Sequence, residues 1–161
     1  MNKSLKTAVF VIAGLLQACA TSYVQPTGFE VAELKIGSDI AVPVEVKVFK
    51  NASDCSGGKM LVTSSGTLPA FGELTLRVKP NEAFSFFVSY AESSFGGITY
   101  CNFPATFVPR ERGRYSARFL KSDGKCYMPV MVQTETGEEL EPTFKHRQWR
   151  APFIESGSFC N

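Results

Sequence analysis

The sequence predicts an all-β protein, an antiparallel β-sandwich of Ig-like or transthyretin-like type with about eight strands and an extended C-terminal arm. Three observations predict it. Apolar and polar residues alternate with period two along most of the chain. Gly, Pro, Ser and Asn turns punctuate these runs at spacings of roughly 10 to 15 residues, the rhythm of a sandwich or barrel. There is almost no helical period, and no internal repeat, heptad run or low-complexity tract. Clean alternation means one buried and one solvated face per strand, which favours a sandwich.

The elements follow in order. Residues 29–36 begin an alternation at Phe29 and Val31 that slips to Leu34 and Ile36, as a bulged strand would. Val42, Val44, Val46 and Val48 alternate with Pro43, Glu45, Lys47 and Phe49, the clearest half-buried strand of the chain. Pro43 has no amide donor and belongs at a strand beginning or on an edge. Residues 51–59, rich in Ser and Gly, read as a loop carrying Cys55. Residues 60–63 read as a short strand turned by Ser64-Ser65-Gly66. Leu74, Leu76 and Val78 alternate with Thr75, Arg77 and Lys79 before a turn at Pro80-Asn81-Glu82. Phe84, Phe86, Val88 and Tyr90 keep the same period. Residues 92–97 read as a loop and 98–107 as a strand with Cys101 inside it. A hairpin loop at 109–113 leads to the inward row Tyr115, Ala117 and Phe119. Ser122-Asp123-Gly124 turns the chain, after which Cys126, Met128, Val130 and Val132 face one way. Thr136-Gly137 closes a last hairpin onto residues 139–144. Residues 145–161 have no strand period; with Trp149, Pro152 and Phe153 they are predicted to lie across the sandwich as an arm stapled by Cys160.

Ahead of this domain, Lys3 and Lys6 precede an apolar run over residues 8–16 broken only by Gly14, the layout of a secretory signal peptide. A transmembrane helix needs about 20 apolar residues. This run is shorter, and Gln17 is already polar. Ordinary signal peptidase could also cut at Ala18-Cys19-Ala20 and release a protein starting at Thr21. Leu16-Gln17-Ala18-Cys19 resembles the lipobox of bacterial lipoprotein precursors, with Gln17 as the one departure. The resemblance implies cleavage before Cys19 and diacylation of its sulfur. The chain then divides into a signal peptide (1–18), the lipidated Cys19 with a tether (19–28) and a single domain (29–161). Ala20, where Asp commonly retains such proteins at the inner membrane, implies the outer membrane with a periplasm-facing domain. Two or more acyl chains hold firmly where one is marginal.

The formal charge of +2 is carried by Lys3 and Lys6, so the remainder is balanced. A nucleic-acid binder is normally basic, and that class is disfavoured. With 44% hydrophobic residues and 14 Phe, the chain can build a packed core. Setting Cys19 aside leaves Cys55, Cys101, Cys126 and Cys160, an even set suited to an oxidising compartment. No C-x-x-C pair exists and His146 is the only histidine, so neither a metal nor a cofactor is expected. Three connectivities are possible. The expected one is Cys55–Cys101 with Cys126–Cys160, the second bridge tying the C-terminus to a core strand.

Catalytic signals are sparse. His146 stands between Lys145 and Arg147, whose charges would lower its pKa, and no adjacent carboxylate orients it. No G-x-S-x-G elbow, H-E-x-x-H motif or phosphate loop occurs. Glu138, Glu139 and Glu141 flank a glycine turn and read as a solvated hairpin rather than a carboxylate pair. Arg110, Arg112, Arg114 and Arg118 form a basic cluster that could meet anionic lipid, lipopolysaccharide phosphate or an acidic partner, or simply resist edge pairing. The resulting expectation is a non-enzymatic outer-membrane lipoprotein, a structural or accessory component docking on an envelope assembly through a sheet edge or the aromatic arm. Trp149, Arg150 and Phe153 are its candidate contacts, with Arg112 and Arg114 as a second patch. The alternatives are a periplasmic ligand-binding or inhibitor domain, or an enzyme with a site in loops 51–59 and 93–97.

Overall fold

A computed structural model of the chain describes residues 22–61, 67–154 and 157–161. The export segment with Cys19, and the turn expected at Ser64-Ser65-Gly66, lie outside the described residues.

The strands are β1 (Ala32–Ser38), β2 (Val44–Asn51), β3 (Ser56–Met60), β4 (Thr67–Leu68), β5 (Glu73–Val78), β6 (Phe84–Ser94), β7 (Gly97–Phe107), β8 (Arg114–Ser122), β9 (Lys125–Tyr127), β10 (Val130–Thr134), β11 (Gly137–Leu140) and β12 (Lys145–His146). They form two packed sheets. The first runs β12-β7-β6-β2-β3, with β4 also paired to β2; the second runs β11-β10-β8-β1-β5, with β9 paired to β8. The twelve exceed the expected eight in part because two positions are each divided between short strands. β3 and β4 meet different lengths of β2. β9 and β10 likewise meet different lengths of β8, parted at Met128-Pro129, where Pro129 has no amide to give the ladder.

Among the described residues the isolated Ser22–Met60 bridge is parallel, while every strand ladder is antiparallel except β1 with β8, which run parallel from Glu33↔Arg114 to Ser38↔Phe119. This changes the expected hairpin at 109–113. That loop carries the chain from β7 in the first sheet to β8 in the second, because β8 takes its place beside β1.

The inward rows follow the period of two. Val44, Val46 and Val48 face Leu34, Ile36, Leu76 and Val78 across a core that also holds Phe86, Phe103, Phe107, Phe119 and Val130. Ring contacts join the sheets: Phe107 to Tyr115 at 4.9 Å and Tyr90 to Phe119 at 5.9 Å between centroids. Pro43 immediately precedes β2, where its missing donor costs nothing. Asn81 takes a positive φ of 62° after Pro80, the pattern of a type II turn. Asp123 and Gly124 both have positive φ between Ser122 and Lys125, as a two-residue type I′ hairpin requires.

Four expected boundaries move, the last hairpin turning at Glu135-Thr136 with its strand ending at Leu140 instead of residue 144. The first strand starts at Ala32, and the buried row is Ala32, Leu34 and Ile36 without a slip, Phe29 being exposed ahead of it. Residues 56–59, expected as loop, belong to β3. Only Phe95-Gly96 turns the chain between β6 and β7, which pair out to Ser94↔Gly97. The tether also differs from expectation, because its apolar and polar groups find partners on the sandwich. Ser22 bridges to Met60, Tyr23 packs edge-on to Phe84 and donates its hydroxyl to the Arg77 carbonyl (2.8 Å), and the Gln25 side chain accepts the Arg77 amide.

The cysteines pair as Cys55–Cys160 and Cys101–Cys126, correcting the expected Cys55–Cys101 and Cys126–Cys160. The reason is facing. Cys101 points inward from β7 with Phe103, and Cys126 points inward from β9 in the opposite sheet, so their Cα atoms come within 6.2 Å across the core. Cys55 lies on the outer side of the first sheet, where the arm brings Cys160 to a Cα separation of 5.3 Å. Both spacings fall within the usual range of about 4.4–6.8 Å.

Candidate functional site: the stapled C-terminal arm

A second apolar cluster lies outside the main core. Phe49 on β2 and Phe87 on β6 point away from the other sheet and would stand in water if the arm did not cover them. Trp149 stacks on Phe87 with centroids 4.5 Å apart and planes 18° from parallel. Phe159 packs against both Trp149 (5.3 Å) and Phe49 (5.6 Å), and Cys55–Cys160 closes the cluster.

Polar groups fix the arm around it. The Arg147 guanidinium donates to main-chain oxygens of Ala52 (3.2 Å), Ser53 (2.7 Å) and Asn161 (2.6 Å), tying the β2–β3 turn to the end of the arm. The Asp54 carbonyl accepts from the amides of Phe159 and Cys160. The Asp54 carboxylate accepts from Ser56 and Ser158, and these bonds, Ser56 first, hold its pKa below the usual carboxylate value. Neither Arg147 nor Asp54 was marked by the sequence. A guanidinium that reads main-chain carbonyls leaves no partner pattern among the side chains.

The expected contact residues separate in space. Trp149 is committed to Phe87, although it also borders a groove of about 560 Å³ with Lys47, Ser89, Tyr100 and Asn102. Arg150 donates to the Asn161 side chain (3.0 Å). Phe153 is fully exposed, beside the exposed Ile154. Arg114 lies on the outer face of the second sheet, in a groove with Glu33, Lys35 and Glu138. Arg112, with a positive φ of 55°, is exposed on the 109–113 loop. The arm and the arginine patch therefore occupy opposite sides of the sandwich.

The four-arginine cluster is also incomplete. Arg118 binds Asp39 (2.6 Å) and Glu73 (2.7 Å), and Glu73 takes Lys35 as well, so its charge is met locally. The glutamates differ from a solvated hairpin in one respect. Glu138 and Glu139 are exposed, but Glu141 is buried; its Oε1 accepts the amide (3.0 Å) and hydroxyl (2.8 Å) of Thr143, and Oε2 has no hydrogen-bond partner among the described residues.

The loops considered as a joint enzyme site lie at opposite ends of the first sheet. Ser85 donates to the Ala52 carbonyl, and Ser94 lies nine residues further along the same β6, about 30 Å at about 3.4 Å per residue. His146 on β12 lies flat on Phe103 with centroids 4.1 Å apart. Among the described residues no three His, Cys, Asp or Glu side chains converge to hold a metal ion.

Burial against Phe103 lowers the His146 pKa below its ordinary value of 6.5. The unfolded chain then binds more protons than the folded one between the two values, so stability is full above the ordinary pKa and is lost as pH falls through it toward the lowered one. Urea midpoints should decline on acidification through about pH 6.5. His146→Gln should lose that part of the decline, and an unchanged pH profile in the variant would exclude His146 as its source.

These features define a disulfide-stapled two-sheet sandwich whose C-terminal arm builds a second small core on one outer face. No protein-family model matches the chain, and no curated protein matches its sequence.

Proposed function

We propose that the chain is a lipid-anchored component of the outer membrane whose sandwich is a non-enzymatic docking module for an envelope protein assembly. The observation that carries the docking role is Phe153. It stands fully exposed next to Ile154 on an arm held by a disulfide, the Arg147 clamp and the Trp149 stack. An aromatic side chain on a rigid support loses little entropy when a partner covers it, and such side chains dominate interfaces.

The anchor rests on Leu16-Gln17-Ala18-Cys19. The docked segment beginning at Ser22 agrees with it, since three residues span at most about 10 Å and a lipid on Cys19 would hold the β3 side of the sandwich close to the bilayer. That geometry leaves the β7 side on the far edge of the same sheet. The groove beside Trp149 favours one other reading, a periplasmic ligand-binding domain.

The test has two parts. Labelled palmitate should enter the wild-type protein and not Cys19→Ser. A photo-cross-linking residue at position 153 should capture a partner in intact cells, whereas one at the exposed Phe71 should not. A soluble mature form starting at Thr21 overturns the anchor. A folded Phe153→Ala protein that retains every cross-linked partner overturns the docking face.

A further inference from the structure

The first sheet is unfinished along β7. β12 pairs only with Thr106 and Ala105, and the arm makes its last bond on this edge where the Arg147 amide donates to the Pro104 carbonyl at 2.9 Å. Pro104 has no amide to return that bond, and the chain departs across the outer face to stack Trp149 on Phe87. Backbone groups alternate in direction along a strand. Because Pro104 turns its carbonyl outward, Asn102, Tyr100 and Ile98 turn their N–H and C=O groups outward too, while Phe103, Cys101 and Thr99 face β6. No main-chain partner meets those three outward residues on that side among the described residues.

Edge strands are ordinarily blunted by Lys, Pro, a bulge or a covering segment. From Ile98 to Asn102 there is no charged residue and no proline, and the ladder with β6 runs in continuous register. Ile98 and Tyr100 are 58% and 64% exposed, and Phe95 at the hairpin tip is fully exposed. Beside the edge a largely apolar cleft of about 850 Å³ opens between β7 and β9, lined by Phe103, Leu120, Tyr127, Met128 and Phe144, with Lys125 and His146 also on its wall.

We propose that this edge pairs with the same edge of a second copy, as an antiparallel β7–β7 ladder about a two-fold axis through Tyr100. The open run selects that occupant by its own symmetry. It is bounded on one side by the Phe95-Gly96 turn and on the other by the arm at Arg147, and it is centred on Tyr100. A two-fold axis there sets Tyr100 against Tyr100 and Ile98 against Asn102, and every outward N–H meets an outward C=O. Like charges directly opposite one another destabilise a ladder, and an uncharged run brings none, so its own copy is the electrostatic match. Such an isologous contact closes with two chains and leaves no open β7 edge to propagate. The Phe153 face lies on the arm and is not used.

The register makes the proposal testable in the full-length protein. Directly opposed residues of a hydrogen-bonded antiparallel pair have Cα atoms about 5.5 Å apart, inside the disulfide range of about 4.4–6.8 Å. Tyr100→Cys should therefore convert to a covalent dimer on mild oxidation. Ile98→Cys alone should not, because it stands four positions from its mate, roughly 14 Å; the double variant Ile98→Cys with Asn102→Cys should. By light scattering the wild type should be dimeric, and Tyr100→Lys, which opposes two like charges at the axis, should be monomeric while still unfolding in one cooperative transition. A monomeric wild type overturns the proposal. So does cross-linking of Ile98→Cys as readily as Tyr100→Cys, or capture of a different protein by Tyr100→Cys in place of the dimer. Should Tyr100→Cys fail to fold, the light-scattering comparison of wild type with Tyr100→Lys decides alone.

Discussion

Replacing Cys55 and Cys160 together by serine is expected to cost roughly 5 kcal/mol, the largest effect of any substitution considered for this chain. The bridge closes a loop of 105 residues, and the loss of unfolded-chain entropy grows with the logarithm of loop length. A domain of this size is stable by only about 5–15 kcal/mol, so the variant should retain a marginal fold or none at 37 °C. Replacing Cys101 and Cys126 removes a loop of 25 residues and should cost less, roughly 3.5 kcal/mol. Urea unfolding of the two double variants gives the comparison. If loss of the shorter loop proved the more damaging, the entropy account would fail, and direct contacts of Cys101 and Cys126 across the core would have to carry the difference.

The second large effect is expected at Phe86. Its ring is fully buried between Phe84 and Phe107, and Phe86→Ala should cost about 3–5 kcal/mol through lost transfer energy and a residual cavity. Phe87 is the control. It is nearly as buried, yet it faces outward, and only the arm covers it. A site that can collapse costs less to truncate, so Phe87→Ala should cost less than its neighbour. Trp149 is the chain's only tryptophan and stacks on Phe87. Its native emission should shift to the red in Phe87→Ala and stay unchanged in Phe86→Ala, where the urea midpoint falls instead. A red shift in both variants would mean that the outer cluster is not a separate packing unit.

Much of the fold was legible because period two survives wherever one face of a strand meets the other sheet. Val44, Val46 and Val48 on β2 and Tyr115, Ala117 and Phe119 on β8 are buried as their alternation requires. The same parity held the disulfide answer. Cys101 shares its face with Phe103, and Cys126 shares its face with Met128, so both had to look into the core. The C-terminus is tied down all the same, through Cys55 on the outer face. Elsewhere the signal was weak. Glu92, Ser93 and Ser94 look like a loop because β6 there extends past the core and has no apolar row to show. The polar run before Gly28 looks like a tether, although Ser22, Tyr23 and Gln25 dock it through a bridge to Met60, the Phe84 ring and the Arg77 main chain. Of the candidate contacts, only Phe153 retained a bare apolar side chain; the commitment of Trp149 to Phe87 depends on a partner more than sixty positions away, and no local pattern records that.

The parallel pairing of β1 with β8 sets the order in which the domain can assemble. β2 and β3, like β6 and β7, join as antiparallel hairpins that can zip from local turns, but β6 reaches β2 only after β5 has crossed to the second sheet. β1 lies in the middle of the second sheet but must wait for Arg114–Ser122 before its other side is closed. Pairings this distant place folding among the slower β-topologies, in milliseconds to seconds. The first strand of the domain thus completes its ladder only with a strand about eighty residues further along the chain.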